Sequence, residues 1–209
     1  MFLAVTSESK VIAGKDLERA VNACTTQIKQ HVAPTWDRIP AHIILCEDKK
    51  EIPAVADVLT VLDDSDQSGY AGYHRVAPEG KAYSRVFVKP ILIHGGELLT
   101  TSLSVSSVMS HEICEWFVNR SLDLWVDGPQ GEYALEICDP VSEDAYEIDG
   151  VSVSNFVYRL FFDGRAPAAC QFDHLRRVRG PFTPSAGGYM HLRKIGEMQM
   201  IRGGPEGIL

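Results

Sequence analysis

The segment 104–119 constrains the fold more than any other stretch of the chain, because it places apolar residues at helical spacing around a charged centre. The apolar residues recur every three or four positions and are Val105, Val108, Met109, Ile113, Trp116 and Phe117. This period predicts a helix that is buried on one face. His111, Glu112 and Glu115 lie in its middle and form the pattern His-Glu-x-x-Glu.

The His-Glu-x-x-Glu pattern predicts a metal site. Residues four apart on a helix project from one face, so His111 and Glu115 can offer a nitrogen and a carboxylate oxygen to one ion, with Glu112 beside them to hold a water. This is the geometry of the His-Glu-x-x-His zinc proteases with the second histidine replaced by glutamate. An anionic ligand should make the bound water less acidic. We expect Zn²⁺, although a carboxylate-rich site also suits Mn²⁺ or Fe²⁺.

A third ligand must come from another element, and Glu136 and Asp139 offer two carboxylates three positions apart. The pattern predicts a short helix over 133–138, ended by Pro140, which would place both on one face. A ligating histidine usually donates its second ring N–H to a carboxylate or carbonyl. We assign the ligand role to Glu136 and the orienting role to Asp139, and the reverse assignment stays open.

The remaining patterns predict an α+β fold in one domain spanning 1–209. Apolar residues at helical spacing predict an N-terminal helix over 15–32, ended by Pro34. The Asp149-Gly150 pair predicts a hairpin over 146–153. The predicted extended segments are 41–46, an edge strand at 71–76, 82–89 up to Pro90, 156–162 and a closing hairpin over 189–201. The run 52–62 is helix or strand, and the tail 202–209 is expected to be flexible.

Composition and charge argue against several functions. The chain has 28 acidic and 20 basic residues and a net charge of −8, which disfavours binding to nucleic acid or to an anionic membrane surface. The start, Met1–Val5, is too short an apolar run for a signal peptide, and no segment approaches the roughly 20 apolar residues of a membrane span. Five cysteines without a Cys-x-x-Cys pair indicate neither a disulfide framework nor a zinc ribbon.

The order of these elements resembles a family of phage and prophage proteins that has no established activity and is ascribed a zincin-like metallopeptidase fold. The resemblance covers about residues 15–201. The motifs that carry it are Gly72-Tyr73-His74, Val86-Phe87-Val88, Ser110-His111-Glu112-x-x-Glu115, Glu136-x-Cys138-Asp139-Pro140-Val141, Val153-Ser154-Asn155-Phe156 and Gly187-Gly188-Tyr189-Met190.

The resemblance implies a zincin core, with a small mixed sheet, an N-terminal helix, a central active-site helix over 105–119 and a C-terminal β-hairpin region. In such a core, Gly72-Tyr73-His74 is the edge strand that faces the substrate. Glu136 and Asp139 resemble the gluzincin pair in which a glutamate ligand is followed by an aspartate that contacts the first histidine. The chain departs from that pattern at Glu115, where gluzincins have histidine, so the resemblance implies a fold and a metal site more than a reaction.

Two functions are therefore expected from the sequence. The first is a zinc-dependent hydrolase, in particular a peptidase acting on a peptide or protein, with Glu112 as general base and His74 or Tyr73 as donor to the developing oxyanion. The alternative is a phage virion or assembly protein that binds other phage structural proteins and keeps a structural or inactive metal site. Both functions place the protein in the host cytoplasm or the virion.

Overall fold

The computed structural model describes residues 1–204, and its central element is a five-stranded mixed sheet. The strands are β1 (Phe2–Ser7), β2 (His42–Leu45), β3 (Asp57–Leu62), β4 (Gly72–Val76) and β5 (Ala82–Phe87). Their order in the sheet is β2-β1-β3-β5-β4. Neighbouring strands are parallel except for β4, which runs antiparallel to β5 and lies at the edge.

Helices cover this sheet and complete the core. They are α1 (Gly14–Gln27), α2 (Ala33–Thr35), α3 (Val88–Ile93) and α4 (Val105–Val118), with a π-helical segment, Ile28–Val32, between α1 and α2. The apolar residues of α1 and α4 are buried in one core together with those of β1, β3 and β5. None of the helices within residues 1–204 has both the length and the apolar character needed to cross a membrane.

The second half of the described chain forms two smaller sheets. Their strands are β6 (Trp125–Gly128), β7 (Gly131–Ala134), β8 (Ala145–Ile148), β9 (Val151–Ser154), β10 (Tyr189–Lys194) and β11 (Glu197–Arg202). One is a four-stranded sheet in the order β11-β10-β7-β6, in which every pair is antiparallel. The other is the hairpin β8-β9.

Helix α4 is fixed at its start and along its length by serine hydroxyls. The Ser104 and Ser107 side chains each accept a hydrogen bond from the backbone N–H of the other residue, which forms a capping box. Ser106 donates to the Ser152 carbonyl, and Ser110 accepts from the Ser154 N–H at 2.6 Å. These contacts dock the hairpin β8-β9 on α4, so the residues that follow Ser110 are held in a fixed direction.

The other end of α4 is tied to the sheet by a buried aspartate. Asp57 accepts hydrogen bonds from the Trp116 indole N–H at 2.9 Å, from both Nε and Nη2 of Arg120, and from the Ala82 backbone N–H. Burial acts to raise the pKa of Asp57, but these donors outweigh it and lower the pKa below the usual value. Asp57 is a paired structural charge.

Several predicted elements are confirmed and several are wrong. The edge strand β4, helix α4, the hairpin β8-β9 with positive φ at Asp149 and Gly150, and the closing hairpin β10-β11 are all present. The predicted helix over 133–138 is wrong, because residues 131–134 pair in β7 and only 139–141 form a 3₁₀ turn. The expected mixed sheet is present as the five-stranded sheet, and the expected C-terminal hairpin is part of a separate four-stranded sheet.

Proline positions explain two further differences. The N-terminal helix does not end at Pro34, which lies in the first turn of α2, where a missing N–H costs no hydrogen bond. For the same reason Pro90 lies early in α3 and does not terminate the preceding strand.

The segment 156–162 and the C-terminal tail also differ from the prediction. In the segment 156–162, Arg159–Phe162 is a 3₁₀ helix and not extended. Of the expected tail, residue 202 ends β11 and residues 205–209 lie outside the described part.

Candidate metal centre

His111, Glu115 and Asp139 bring three donor atoms together next to α4. His111 Nε2 is 3.1 Å from Glu115 Oε1 and 3.2 Å from Asp139 Oδ1. The spacing of the first two follows from one helical turn, whereas Asp139 arrives from the 3₁₀ turn that follows β7. Their ligand atoms lie close enough to one another to hold one metal ion. We call these residues the His111 group.

A second set of donor atoms lies on the other side of Glu115. His74 Nδ1, on the edge strand β4, is 3.7 Å from Glu112 Oε2 and 3.8 Å from Glu115 Oε2. These three residues also lie close enough together to hold an ion, and all three are buried. We call them the His74 group, and it shares Glu115 with the His111 group.

Gly72 allows β4 to approach α4 this closely. A Cβ atom at Gly72 would lie 2.7 Å from Val108 Cγ1 and 2.9 Å from Glu112 Oε1. Distances below 3 Å would force the strand and the helix apart. The glycine therefore places the backbone of β4 against the Glu112 carboxylate and, two residues later, His74 beside it.

The carboxylates of the cluster are buried and affect one another's protonation. Burial and the charge of Asp139 raise the pKa of Glu115 to about 7, against the opposing influence of His111. Burial and the charge of Glu115 raise the pKa of Glu136 well above its usual value. These raised pKa values mean that the positive charges of the protein do not fully compensate the ionised carboxylates.

The pKa values of the two histidines in the cluster are also raised, although burial by itself would lower them. Burial acts to lower the pKa of His111, but Glu115 and Asp139 outweigh it and raise the pKa well above its usual value. At His74 burial is likewise outweighed by the neighbouring glutamates Glu112 and Glu136, and the pKa is raised. Both rings are therefore surrounded by negative charge, which is the environment that a cation also prefers.

Two buried polar atoms of the cluster have no hydrogen-bond partner among residues 1–204: His74 Nε2 and Glu115 Oε1. Buried polar side-chain atoms usually have a partner, because an unpaired one costs about 1–3 kcal/mol. Glu115 is only 4% exposed, and its unpaired oxygen faces His111. An ion in the His111 group would satisfy that oxygen.

The structure places the six residues predicted for the site in one cluster, although their arrangement differs from the expectation. Asp139 belongs to the His111 group, whereas Glu136 accepts a hydrogen bond from Asn119 Nδ2 at 3.0 Å and belongs to neither group. This arrangement favours the assignment in which Asp139 is the ligand. Of the two expected oxyanion donors, His74 faces the carboxylates, and the Tyr73 hydroxyl donates to Asp66.

Three residues at the site had no role in the sequence prediction. Asn119, near the end of α4, holds Glu136. Tyr189 and His191 come from β10, and His191 Nδ1 is 3.8 Å from Asp139 Oδ2. Burial and the negative charge of Asp139 raise the pKa of Tyr189, so its hydroxyl stays protonated. No local spacing connects β10 to α4, because β10 reaches the site through long-range contacts, its pairing with β7 and its packing against the 139–141 turn.

Two cavities of about 360 and 560 Å³ meet at the cluster. The smaller is bordered by His74, Glu115, Glu136 and Asp139, and the larger extends toward Leu103 and Arg202. The residues that line both are Tyr70, Gly72, His111, Glu112, Tyr189 and His191. Both cavities therefore reach the cluster.

Together, the fold and the site define an α+β protein with a carboxylate–histidine cluster between a sheet edge and its neighbouring helix. Comparison of the chain with protein-family models, with curated proteins and with solved structures finds no match. The function therefore has to be inferred from the site.

Proposed function

We propose that the protein is a metal-dependent hydrolase, specifically a peptidase with a zincin-like core, whose His111, Glu115 and Asp139 hold a Zn²⁺ ion. The observation that carries the proposal is the convergence of these donors from two elements, with Glu112 beside them and open to two cavities. The antiparallel edge strand β4 next to the motif-bearing helix α4 supports the zincin-like part.

The donor set fits a catalytic zinc ion. One imidazole and two carboxylates are three protein ligands, and three is the number that catalytic zinc sites use while keeping a position open for water or substrate. Glu115 Oε1 makes no hydrogen bond among residues 1–204 and faces His111 Nε2 at 3.1 Å, so a cation held by both atoms would satisfy both. The same set also accepts Mn²⁺ or Fe²⁺.

The cation, Glu112 and Tyr189 would each have a separate role in hydrolysis. A bound divalent cation supplies Lewis acidity, which polarises a carbonyl and lowers the pKa of water. Glu112 Oε1 lies near Gly72 at the cavities, where it accepts the proton of the attacking water and returns it to the leaving amine. Tyr189 remains protonated and lines both cavities, so it donates a hydrogen bond to the oxygen that becomes negative.

The shape of the site favours an extended substrate. The two cavities share Glu112 and five further lining residues, so an extended chain that occupied both would pass across the cluster. A peptide bond at the centre would then be flanked by residues in each cavity. This is the basis for proposing a peptide or protein as the substrate.

The experiment is a screen of a mixed peptide library with protein that has been stripped by a chelator and reloaded with Zn²⁺. We expect new peptide termini, detected by mass spectrometry, with the reloaded protein and none with the stripped protein. An absence of cleavage by the zinc-loaded protein, or cleavage that the chelator does not affect, would contradict the proposal.

A further inference from the structure

We infer that the site is dinuclear: the His74 group holds a second divalent cation, and Glu115 bridges it to the cation of the His111 group. This inference rests on the proposed function, because it adds a second cation to the same centre. The observation behind it is the direction of the two Glu115 oxygens, since Oε1 faces His111 at 3.1 Å and Oε2 faces His74 at 3.8 Å.

The separation of the two donor groups argues for two ions. Apart from Glu115, the groups have no member in common, and each has its own histidine. Each also has its own second carboxylate, Glu112 in one and Asp139 in the other. A carboxylate that offers one oxygen to each of two donor sets is suited to bridging two cations.

His74 lacks the hydrogen bonds that a buried histidine normally has. The residue is 7% exposed, its Nε2 has no partner among residues 1–204, and its Nδ1 is 3.7 Å from Glu112 and 3.8 Å from Glu115. Those separations exceed hydrogen-bonding distance. Nδ1 is therefore directed at two carboxylate oxygens with a gap between them, which is the arrangement expected of metal ligands without their ion.

The charge of the cluster also favours two cations. Glu112, Glu115, Glu136 and Asp139 are each at most 9% exposed, and Arg120 is paired with Asp57. If all four are ionised and the two histidines are neutral, as metal ligands are, their charge equals that of two divalent cations. Buried carboxylates without balancing charge are costly, so the second cation removes an energetic penalty.

The donor atoms of the His74 group indicate which cations it can hold. Two carboxylate oxygens and one imidazole nitrogen suit Zn²⁺, Mn²⁺ or Fe²⁺. Glu112 would contribute its Oε2, which faces His74, and its Oε1 lies next to Gly72, which lines both cavities. Glu112 thus keeps the oxygen that moves the proton while the other oxygen holds the cation.

The test is to count cations. Stripped protein is saturated with Zn²⁺ or Mn²⁺, desalted, and measured by inductively coupled plasma mass spectrometry. We expect two cations per chain in the wild type, one in His74→Ala, and two in His94→Ala. His94 is a matched control because it is an exposed histidine at the end of α3 that belongs to neither donor group and lines neither cavity. Glu112→Gln, a nearly isosteric change, should weaken binding of the second cation at least tenfold even if His74→Ala fails to fold.

Electron paramagnetic resonance of the Mn²⁺-loaded protein tests the bridge. Two ions joined by Glu115 should give a spin-coupled spectrum in the wild type and an uncoupled one in His74→Ala. A wild type that saturates at one cation, a His74→Ala protein that keeps two, or two ions without coupling would overturn the dinuclear site. A wild type that binds no cation would overturn the proposed function as well, so the two failures are distinguishable.

Discussion

Glu112→Gln is expected to lower the rate of peptide hydrolysis by about 10²- to 10⁴-fold, the range that a positioned general base contributes. Glutamine keeps the size of the side chain but cannot accept the proton of the attacking water. The ligand atoms of the His111 group are untouched, so the variant should keep that cation. Steady-state kinetics on a cleaved peptide, together with metal analysis of the same preparation, measure both quantities.

A matched control for this variant is Glu147→Gln. Glu147 is exposed on β8 and lines neither cavity, so the change removes one carboxylate without touching the site. Its turnover should remain within about twofold of the wild type, since surface changes of this kind are usually small. If Glu112→Gln cleaved peptides within tenfold of the wild-type rate, the role of Glu112 as base would be wrong.

Metal-free protein is expected to lose thermal stability as the pH rises from about 5 to 8. The pKa of Glu115 is raised from 4.5 to about 7 in the folded state, so the folded state holds a proton that the unfolded state releases. Stability is therefore lost as the pH rises through that interval. The pKa values of His74 and His111 are also raised, and their contribution is lost as the pH rises above the usual histidine value of 6.5.

The size of this effect follows from the shift at Glu115. A change from 4.5 to about 7 corresponds to roughly 3 kcal/mol of unfolding free energy. For a chain of this length that is a fall of about 6 to 12 °C in Tm. Asp57, with its lowered pKa, acts with the opposite sign but only below about pH 4, outside the interval measured.

The control is the zinc-loaded protein over the same pH range. His31 and His174 have pKa values lowered by burial, so their contribution to stability grows as the pH rises toward 6.5. They belong to neither donor group and are present in both forms, so the difference in Tm between loaded and stripped protein isolates the cluster. That difference should widen steadily with pH. A constant difference between pH 5 and 8 would show that these carboxylates are not the groups a cation neutralises.

The sequence predicted the part of the site that depends on local spacing. Helix α4 and the common face of His111 and Glu115 follow from the 3.6-residue period, which needs no tertiary information. The edge position of β4 was also predicted, and it places His74 beside the helix. His111 and Glu115 are placed by a single helix, and His74 is placed by a strand that packs directly against that helix.

The choice between Glu136 and Asp139 as the ligand depended on the conformation of residues 133–138, which the sequence pattern predicted wrongly as a helix. The apolar residues among 133–138 suit a short helix, but Tyr133 pairs with Val126 and Leu192 on the neighbouring strands. Tertiary pairing therefore overrides local preference. Glu136 leaves the strand toward Asn119, and Asp139 reaches His111 from the turn.

The contributions of β1 and β10 could not be read from local pattern at all. Phe2–Ser7 appeared only as a short apolar start, yet it forms a central strand between β2 and β3. Tyr189 and His191 reach the site because β10 pairs with β7, about 60 residues earlier in the chain. Such contacts depend on long-range strand pairing, which a single sequence does not encode in its spacing.

Zinc content per chain, compared between wild type and His111→Ala, tests the central claim of a metal centre most directly. Both proteins are purified without chelator or immobilised nickel and measured by inductively coupled plasma mass spectrometry, with His94→Ala as the control for loss of a surface histidine. We expect at least one zinc per chain in the wild type and in His94→Ala, and one fewer in His111→Ala. A wild type without metal, or a His111→Ala protein with an unchanged zinc content, would contradict it.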